Sequence, residues 1–283
     1  MLKSIDRLQL AAPTRLPDPW ISLLGAELVG EDRVEYLAAK RTTLRLGQGY
    51  IELLEPDGVG PIAEAVAERG AHLFASGATT EDFDGLMAHL QSQDITPIME
   101  GGIAYLNEDQ TGGFGLRLVI SKHVDLPSVG DIDFLYETSL LVDDAEQASA
   151  HIAKLLALDA DNFVAINSTR FEYTGYLTLF TAGVLHRFEI IAPSNPANTM
   201  GRFHARNGQG YYMCYAETGE LLKIEQRVID AETGHTSQRP DGQKNPDVVF
   251  IHHTALAGMM LGLSRRSQAW TWSGSLERVE PAE

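Results

Sequence analysis

Apolar and polar residues alternate along short segments of the first half of the chain, and similar segments return in the second half in the same order. IDRLQLAAP (5–13) resembles LYETSLLVDD (135–144), and GYIELLEP (49–56) resembles HRFEIIAP (186–193). Alternation with a period of two predicts half-buried strands. A repeat of this length predicts that one supersecondary unit is used twice.

Two further pairs of segments complete the repeat. RGAHLFAS (69–76) resembles QGYYMCYAE (209–217), and GFGLRLVIS (113–121) resembles GMMLGLSRR (258–266). The spacing of glycines and prolines aligns the copies, with the pairs Arg7/Glu137, Glu52/Glu189, His72/Tyr212 and Arg117/Gly262. The offset between the copies increases from 130 to 145 residues, so we expect insertions in the second copy.

Helical patterns lie between these strands. WISLLGAEL follows Pro17 and Pro19 and predicts a short helix, and FDGLMAHLQSQ follows an acidic, capped start. The clearest helix is AEQASAHIAKLLAL (145–158), because Ala148, Ile152, Leu155 and Leu156 form one apolar stripe. ETGELLKIEQRVIDAETG contains the other helix of the second half, whereas GPIAEAVAERG fits either a helix or a loop.

Polar, turn-rich segments divide the chain. KHVDLPSVGDID (122–133) predicts a linker between a first domain at 1–121 and a second domain at 134–275. HTSQRPDGQKNP (235–246) predicts an exposed loop, and we expect a poorly ordered tail at 276–283.

Composition narrows the classes of partner. The 283 residues carry a formal charge of −17, which argues against nucleic acid or an anionic membrane as a partner, because both require basic patches. The single cysteine, Cys214, excludes an intrachain disulfide and a cysteine-rich metal site. No run is long enough to span a bilayer and no leader pattern precedes the first strand, so we expect a cytoplasmic protein.

These segments resemble the vicinal oxygen chelate superfamily, which includes glyoxalase I, methylmalonyl-CoA epimerase, extradiol dioxygenases and bleomycin-resistance proteins. The resemblance implies an α+β fold in which paired βαβββ modules form two cup-shaped β-sheet domains. It also implies one metal ligand from each of four strands, usually His or Gln, Glu, His and Glu.

The chain departs from that ligand set. The matching positions are Arg7, Glu52, His72 and Arg117 in the first half, and Glu137, Glu189, Tyr212 and Gly262 in the second. Arginine has no free lone pair and glycine has no side chain, so modules paired within halves predict no tight divalent ion.

Pairing of modules across halves has a different consequence. It brings together His72, Glu137 and Glu189, which is a workable set for Zn, Mn or Fe. The metal-free case is preferred, because half of the family ligands are replaced.

The resemblance implies action on a small organic substrate by proton transfer next to a carbonyl, as in isomerases and lyases. Glu52 or Glu189 is the candidate base, with Tyr212 as a proton donor or a core aromatic residue. Arg7 and Arg117 either hold a substrate carboxylate or form ion pairs with Glu52. A ring-cleaving dioxygenase and a non-catalytic, drug-sequestering protein are the alternatives, and a homodimer remains open.

Overall fold

The computed structural model describes residues 2–281, which form two eight-stranded sheets with α-helices between the strands. The N-terminal sheet contains β1 (Leu2–Ala11), β2 (Glu27–Val34), β3 (Ala39–Leu46), β4 (Gly49–Pro56), β5 (His72–Thr80), β6 (Ile98–Glu100), β7 (Ile103–Leu106) and β8 (Leu118–Lys122). The C-terminal sheet contains β9 (Phe134–Leu141), β10 (Phe163–Ser168), β11 (Tyr173–Leu179), β12 (Arg187–Pro193), β13 (Gly210–Thr218), β14 (His235–Gln238), β15 (Val248–Ile251) and β16 (Met260–Arg265). The helices are α1 (Asp18–Leu24), α2 (Pro61–Arg69), α3 (Phe83–Gln91), α4 (Ala145–Leu156), α5 (Thr199–Asn207) and α6 (Leu221–Asp230).

Each sheet joins two modules of the same half. The strand order is β2-β3-β4-β1-β5-β8-β7-β6 in the N-terminal sheet and β10-β11-β12-β9-β13-β16-β15-β14 in the C-terminal sheet. β1 pairs in parallel with β4 and β5 with β8, and the same pairings return as β9 with β12 and β13 with β16. The α+β class and the duplicated architecture expected from the sequence are confirmed.

The first strand differs from its expectation. β1 lies between β4 and β5, and its residues from Ile5 to Ala11 are all buried, including Asp6, Arg7 and Gln9. The prediction of a half-buried strand is wrong because the polar face of β1 packs into an ion-pair network instead of facing solvent.

Local sequence accounts for the helices. Asp82 caps α3 by accepting from the backbone NH of Gly85 (2.9 Å), and Asp144 caps α4 by accepting from that of Gln147 (2.9 Å). The predicted apolar stripe of α4 is buried. The segment that fitted a helix or a loop is α2, which begins at a proline, a residue suited to a first helical turn.

The chain forms two compact units, and these units do not coincide with the two sheets. Unit 1 takes its described residues from Met1–Ile5, Ala75–Val124 and Glu137–Tyr212. Unit 2 takes its described residues from Asp6–Phe74, Asp125–Tyr136 and Met213–Glu283. Within unit 1, α3 packs against α4, and within unit 2, α1 packs against α6. Each unit therefore combines elements from both halves.

The segment expected as a linker is held in place within unit 2. Val129 exchanges backbone hydrogen bonds with Gly47 (2.7 and 3.1 Å), and Asp131 forms ion pairs with Lys223 (2.6 Å) and with Arg227 of α6. A polar residue of this segment, Asp131, therefore forms contacts within unit 2.

Two other predicted irregular regions contain structure. Residues 235–238, at the start of the predicted exposed loop, form β14 and pair with β15, and the following residues are turns. In the predicted tail, Leu276–Arg278 is a 3₁₀ turn, and the Arg278 guanidinium lies 3.6 Å from the centre of the Trp270 ring. Residues 282 and 283 of that tail lie outside the described part. No helix within residues 2–281 is both long enough and apolar enough to span a membrane.

Candidate functional site

A buried ion-pair network joins β1, β3 and β4 of the N-terminal sheet. Arg7 Nη1 donates to Glu52 Oε1 (2.9 Å), and its Nε and Nη2 donate to Asp6 Oδ2 (3.2 and 3.0 Å). Glu52 also accepts from Arg41 Nη1 (3.2 Å) and from Gln9 Nε2 (2.7 Å). Both candidate groups, the base Glu52 and the anion-binding Arg7, are therefore engaged with protein partners.

The other two candidates of the first half lie apart from this network. His72 begins β5, and its Nδ1 donates to the Gly70 carbonyl oxygen (2.9 Å) while its ring meets Phe74 edge-on. Arg117 Nη2 forms an ion pair with Glu108 Oε2 (2.8 Å) and is about a quarter exposed, at 26%. The sequence predicted a substrate carboxylate or Glu52 as the partner of Arg117, whereas in the structure its partner is Glu108.

The alignment of the repeat needs a correction in the second modules. α2 ends at Gly70 and α5 ends at Gly208, so these two glycines correspond. The strands that follow, β5 and β13, both have nine residues and end at threonines whose hydroxyls accept from the backbone two residues later. Tyr212 therefore corresponds to Phe74, not to His72.

The last strands show the same two-residue error. Thr80 pairs with Lys122, and its counterpart Thr218 pairs with Arg265. When residues are counted back from Lys122 along β8 and from Arg265 along β16, Arg117 corresponds to Met260, not to Gly262. A shift of two keeps each side chain on the same face of its strand, so the alternation that revealed the repeat could not detect it.

The first module of the C-terminal sheet, within unit 1, carries a second ion pair. Arg187 lies opposite Glu137 in the parallel register of β12 and β9, and Arg187 Nε donates to Glu137 Oε2 (2.5 Å). The two side chains are 0% and 1% exposed. Burial raises the pKa of Glu137 more than Arg187 lowers it. Glu137 Oε1 has no hydrogen-bond donor among the described residues.

Glu189 lies two residues further along β12, on the same side of the strand as Arg187. It faces Ser139 in the strand register, and the Ser139 hydroxyl donates to Glu189 Oε2. Burial, followed by the negative charge of Glu137, raises the pKa of Glu189 to about 8. One buried guanidinium thus accompanies two buried carboxyl groups, and the pKa of each carboxyl is raised.

Two tyrosines complete this group, which we call the Glu189 cluster: Glu137, Ser139, Tyr173, Arg187, Glu189 and Tyr212. Burial, followed by the charge of Glu189, raises the pKa of both Tyr173 and Tyr212. Tyr212 also packs edge-on against Phe203 of α5, with ring centres 5.0 Å apart. Both hydroxyls therefore stay protonated, and both are within the electrostatic influence of Glu189.

The Gly262 position has a packing role. A side chain there would meet the Tyr215 ring at 2.5 Å. Tyr215 stacks on Tyr136 (6.0 Å between ring centres) and also contacts Phe250 and Trp272. Gly262 thus leaves room for an aromatic cluster within unit 2.

The residues at the family ligand positions do not fit a divalent metal. Within residues 2–281, no three His, Cys, Asp or Glu side chains form a group suited to a metal ion. Glu52 and Glu137 are each bonded to arginine. The set that pairing across halves would supply draws on both units, since His72 belongs to unit 2 and Glu137 and Glu189 belong to unit 1.

Comparison with solved structures identifies the fold. A mutant of 4-hydroxymandelate synthase from Streptomyces coelicolor matches with a TM-score of 0.72 and 12% identity, over 98% of this chain and 100% of that one. The chain has the fold of the vicinal oxygen chelate superfamily. A xylose isomerase-like TIM barrel/4-hydroxyphenylpyruvate dioxygenase fusion protein matches with a TM-score of 0.66 and 12% identity, over 94% of this chain. The chain spans about half, 49%, of that fusion protein.

Sequence comparisons add no closer relative. Neither a scan against protein-family models nor a search of curated proteins gives a match. At 12% identity, the likeness to the solved structures concerns the fold alone.

Sequence reasoning selected Glu137, Glu189 and Tyr212 but missed three members of the cluster. Ser139 and Arg187 are each two residues from a selected carboxylate, so strand alternation places them on the same faces. That pattern was available in the sequence. Tyr173 comes from β11, outside the repeated segments. Only the folded chain brings Tyr173 close enough for the charge of Glu189 to raise its pKa.

Proposed function

We propose that the Glu189 cluster catalyses proton transfer next to a carbonyl group of a small organic molecule, in the manner of an isomerase or lyase. The observation that carries the proposal is the buried Glu189 carboxyl, whose pKa is raised to about 8. A base whose pKa lies near the working pH is partly ionised, and its ionised form still has a useful driving force for accepting a proton. Perturbed carboxyl groups of this kind are enriched at functional sites.

In the proposed step, ionised Glu189 removes the proton from the carbon next to the carbonyl. The electron pair of the broken C–H bond moves onto the carbonyl oxygen and forms an enolate. Tyr212 or Tyr173 donates a hydrogen bond to that oxygen, since both hydroxyls remain protonated. Return of the proton from Glu189 to either face of the carbon completes an isomerisation.

Exchange of carbon-bound hydrogen tests this step. Hydroxyacetone in D₂O, followed by proton NMR, reports exchange at its methylene and methyl positions. We expect the protein to accelerate exchange, with a rate that rises with pH through about 8, since the base acts in its ionised form. Glu189→Gln should lose the acceleration, and Glu52→Gln, in the separate network of unit 2, should retain it. Equal rates for wild type and Glu189→Gln would refute the proposal.

A second candidate is ring cleavage by a dioxygenase, supported by the name of one solved structure with the same fold, the 4-hydroxyphenylpyruvate dioxygenase fusion protein. The second half of the chain opposes it, since none of its four ligand positions is a histidine. Anaerobic titration with Fe(II), followed by oxygen consumption with 4-hydroxyphenylpyruvate, distinguishes the two. Stoichiometric Fe(II) binding that Glu189→Gln abolishes would favour this candidate over proton transfer.

A further inference from the structure

The charges of the Glu189 cluster have a consequence for the ligand, on the premise that this cluster is the functional site proposed above. Arg187 is its single guanidinium, and its Nε already bonds to Glu137 at 2.5 Å. Arg117, the candidate arginine that belongs to unit 1, forms an ion pair with Glu108 (2.8 Å). Both of these guanidinium groups are therefore matched by carboxylates of the chain itself.

A bound carboxylate would add a net negative charge to this buried cluster. Its one positive charge, on Arg187, is already matched by the carboxylate of Glu137. Burial of a further charge without a counterion is strongly unfavourable, because the charge loses its hydration. An uncharged ligand does not carry this cost.

A hydrogen-bond donor on the ligand would have the opposite effect. Glu137 Oε1 is buried and has no donor among residues 2–281, and an acceptor in that state gains from any N–H or O–H group that reaches it. Tyr173 and Tyr212 supply protonated hydroxyls that complement a carbonyl oxygen, whereas the Ser139 hydroxyl already donates to Glu189. The cluster therefore complements a ligand that carries both a carbonyl and a donor, and no charge.

We propose that the Glu189 cluster binds an uncharged carbonyl compound bearing a hydroxyl or amide hydrogen, and that it excludes the corresponding carboxylate. This ligand class differs from the anionic ligand expected from Arg7 and Arg117 in the sequence. The reason is that the structure engages each of those arginines with a carboxylate of the protein.

Matched probes test the charge preference directly. Lactamide and lactate share a carbonyl and a hydroxyl and differ in charge, as do mandelamide and mandelate. We expect saturation-transfer NMR and calorimetry at pH 7 to show each amide binding at least about tenfold more tightly than its acid, equivalent to about 1.4 kcal/mol. Tighter or equal binding of the acids, or no binding of either amide, would overturn the proposal.

A charge variant gives the matched control. Glu137→Gln removes the negative partner of Arg187, so the amide-to-acid preference should fall at least about tenfold, whereas Glu52→Gln should leave the preference unchanged. An unchanged preference in folded Glu137→Gln would also overturn the proposal, and the wild-type comparison decides it if that variant does not fold. Preference for an acid together with Glu189-dependent hydrogen exchange would refute the ligand class alone and leave proton transfer standing.

Discussion

Arg7 and Glu137 occupy matching positions in the two sheets and carry opposite charges. Arg7 lies opposite Tyr50 across β1 and β4 and bonds to Glu52, two residues further along β4. Glu137 lies opposite Arg187 across β9 and β12 and bonds to it directly. Glu189 bonds to the Ser139 hydroxyl instead of to an arginine, and burial, followed by the negative charge of Glu137, raises its pKa.

The pH dependence of stability should report Glu189. Its pKa is about 8 in the folded protein against an ordinary value of 4.5, so the folded state holds an extra proton between these values. The stabilisation is complete below pH 4.5 and is lost as pH rises to about 8, with a slope of up to about 1.4 kcal/mol per pH unit. Urea denaturation of wild type and Glu189→Gln at several pH values measures this slope. We expect the variant to flatten it, and an identical slope in both proteins would contradict the assignment.

Removal of Arg187 should be strongly destabilising. Arg187→Met leaves Glu137 buried without its cation, and breaking such a pair costs about 3–5 kcal/mol. The double variant Glu137→Leu/Arg187→Met removes both charges and should recover most of the loss. Chemical denaturation of the single and double variants gives the comparison. A double variant no more stable than Arg187→Met would show that the arginine acts through packing, not through charge.

Removal of Arg7 should cost less. In Arg7→Met, Glu52 keeps a cation because Arg41 still bonds to it, whereas Asp6 loses its two bonds from Arg7, and we expect a loss of about 1–3 kcal/mol in unfolding free energy. Binding of lactamide should not change, because the network lies in unit 2. If Arg7→Met had normal stability but bound lactamide more weakly, Arg7 would be a ligand-binding residue.

The Gly262 position should tolerate no methyl group. Gly262→Ala places a Cβ atom 2.5 Å from the Tyr215 ring, and overpacking of this kind typically costs about 1–3 kcal/mol. Gly30→Ala is the matched control, since a Cβ atom there meets nothing within 4 Å, and its effect should stay within about 0.5 kcal/mol. Thermal unfolding of both variants measures the difference, and equal melting temperatures would show that Tyr215 moves aside freely.

The duplicated architecture was readable from the sequence, because strand alternation, glycines and prolines are local features that survive in both copies. The register of the first modules was also correct, since Glu52 and Glu189 each stand four residues before the proline that ends their strand. The second modules were aligned two residues out of register. Local alternation has a period of two and cannot distinguish registers that differ by two, whereas the helix ends at Gly70 and Gly208 do.

The sequence by itself therefore determined the repeated strands, the class of fold and the carboxylates worth attention. Only the tertiary structure decided which of these carboxylates is paired, because an ion pair depends on neighbouring strands that are distant along the chain. Glu52 and Glu189 have the same sequence context, yet Glu52 meets two arginines and Glu189 meets a serine. The difference in their chemistry arises from the cross-strand neighbours that the fold supplies.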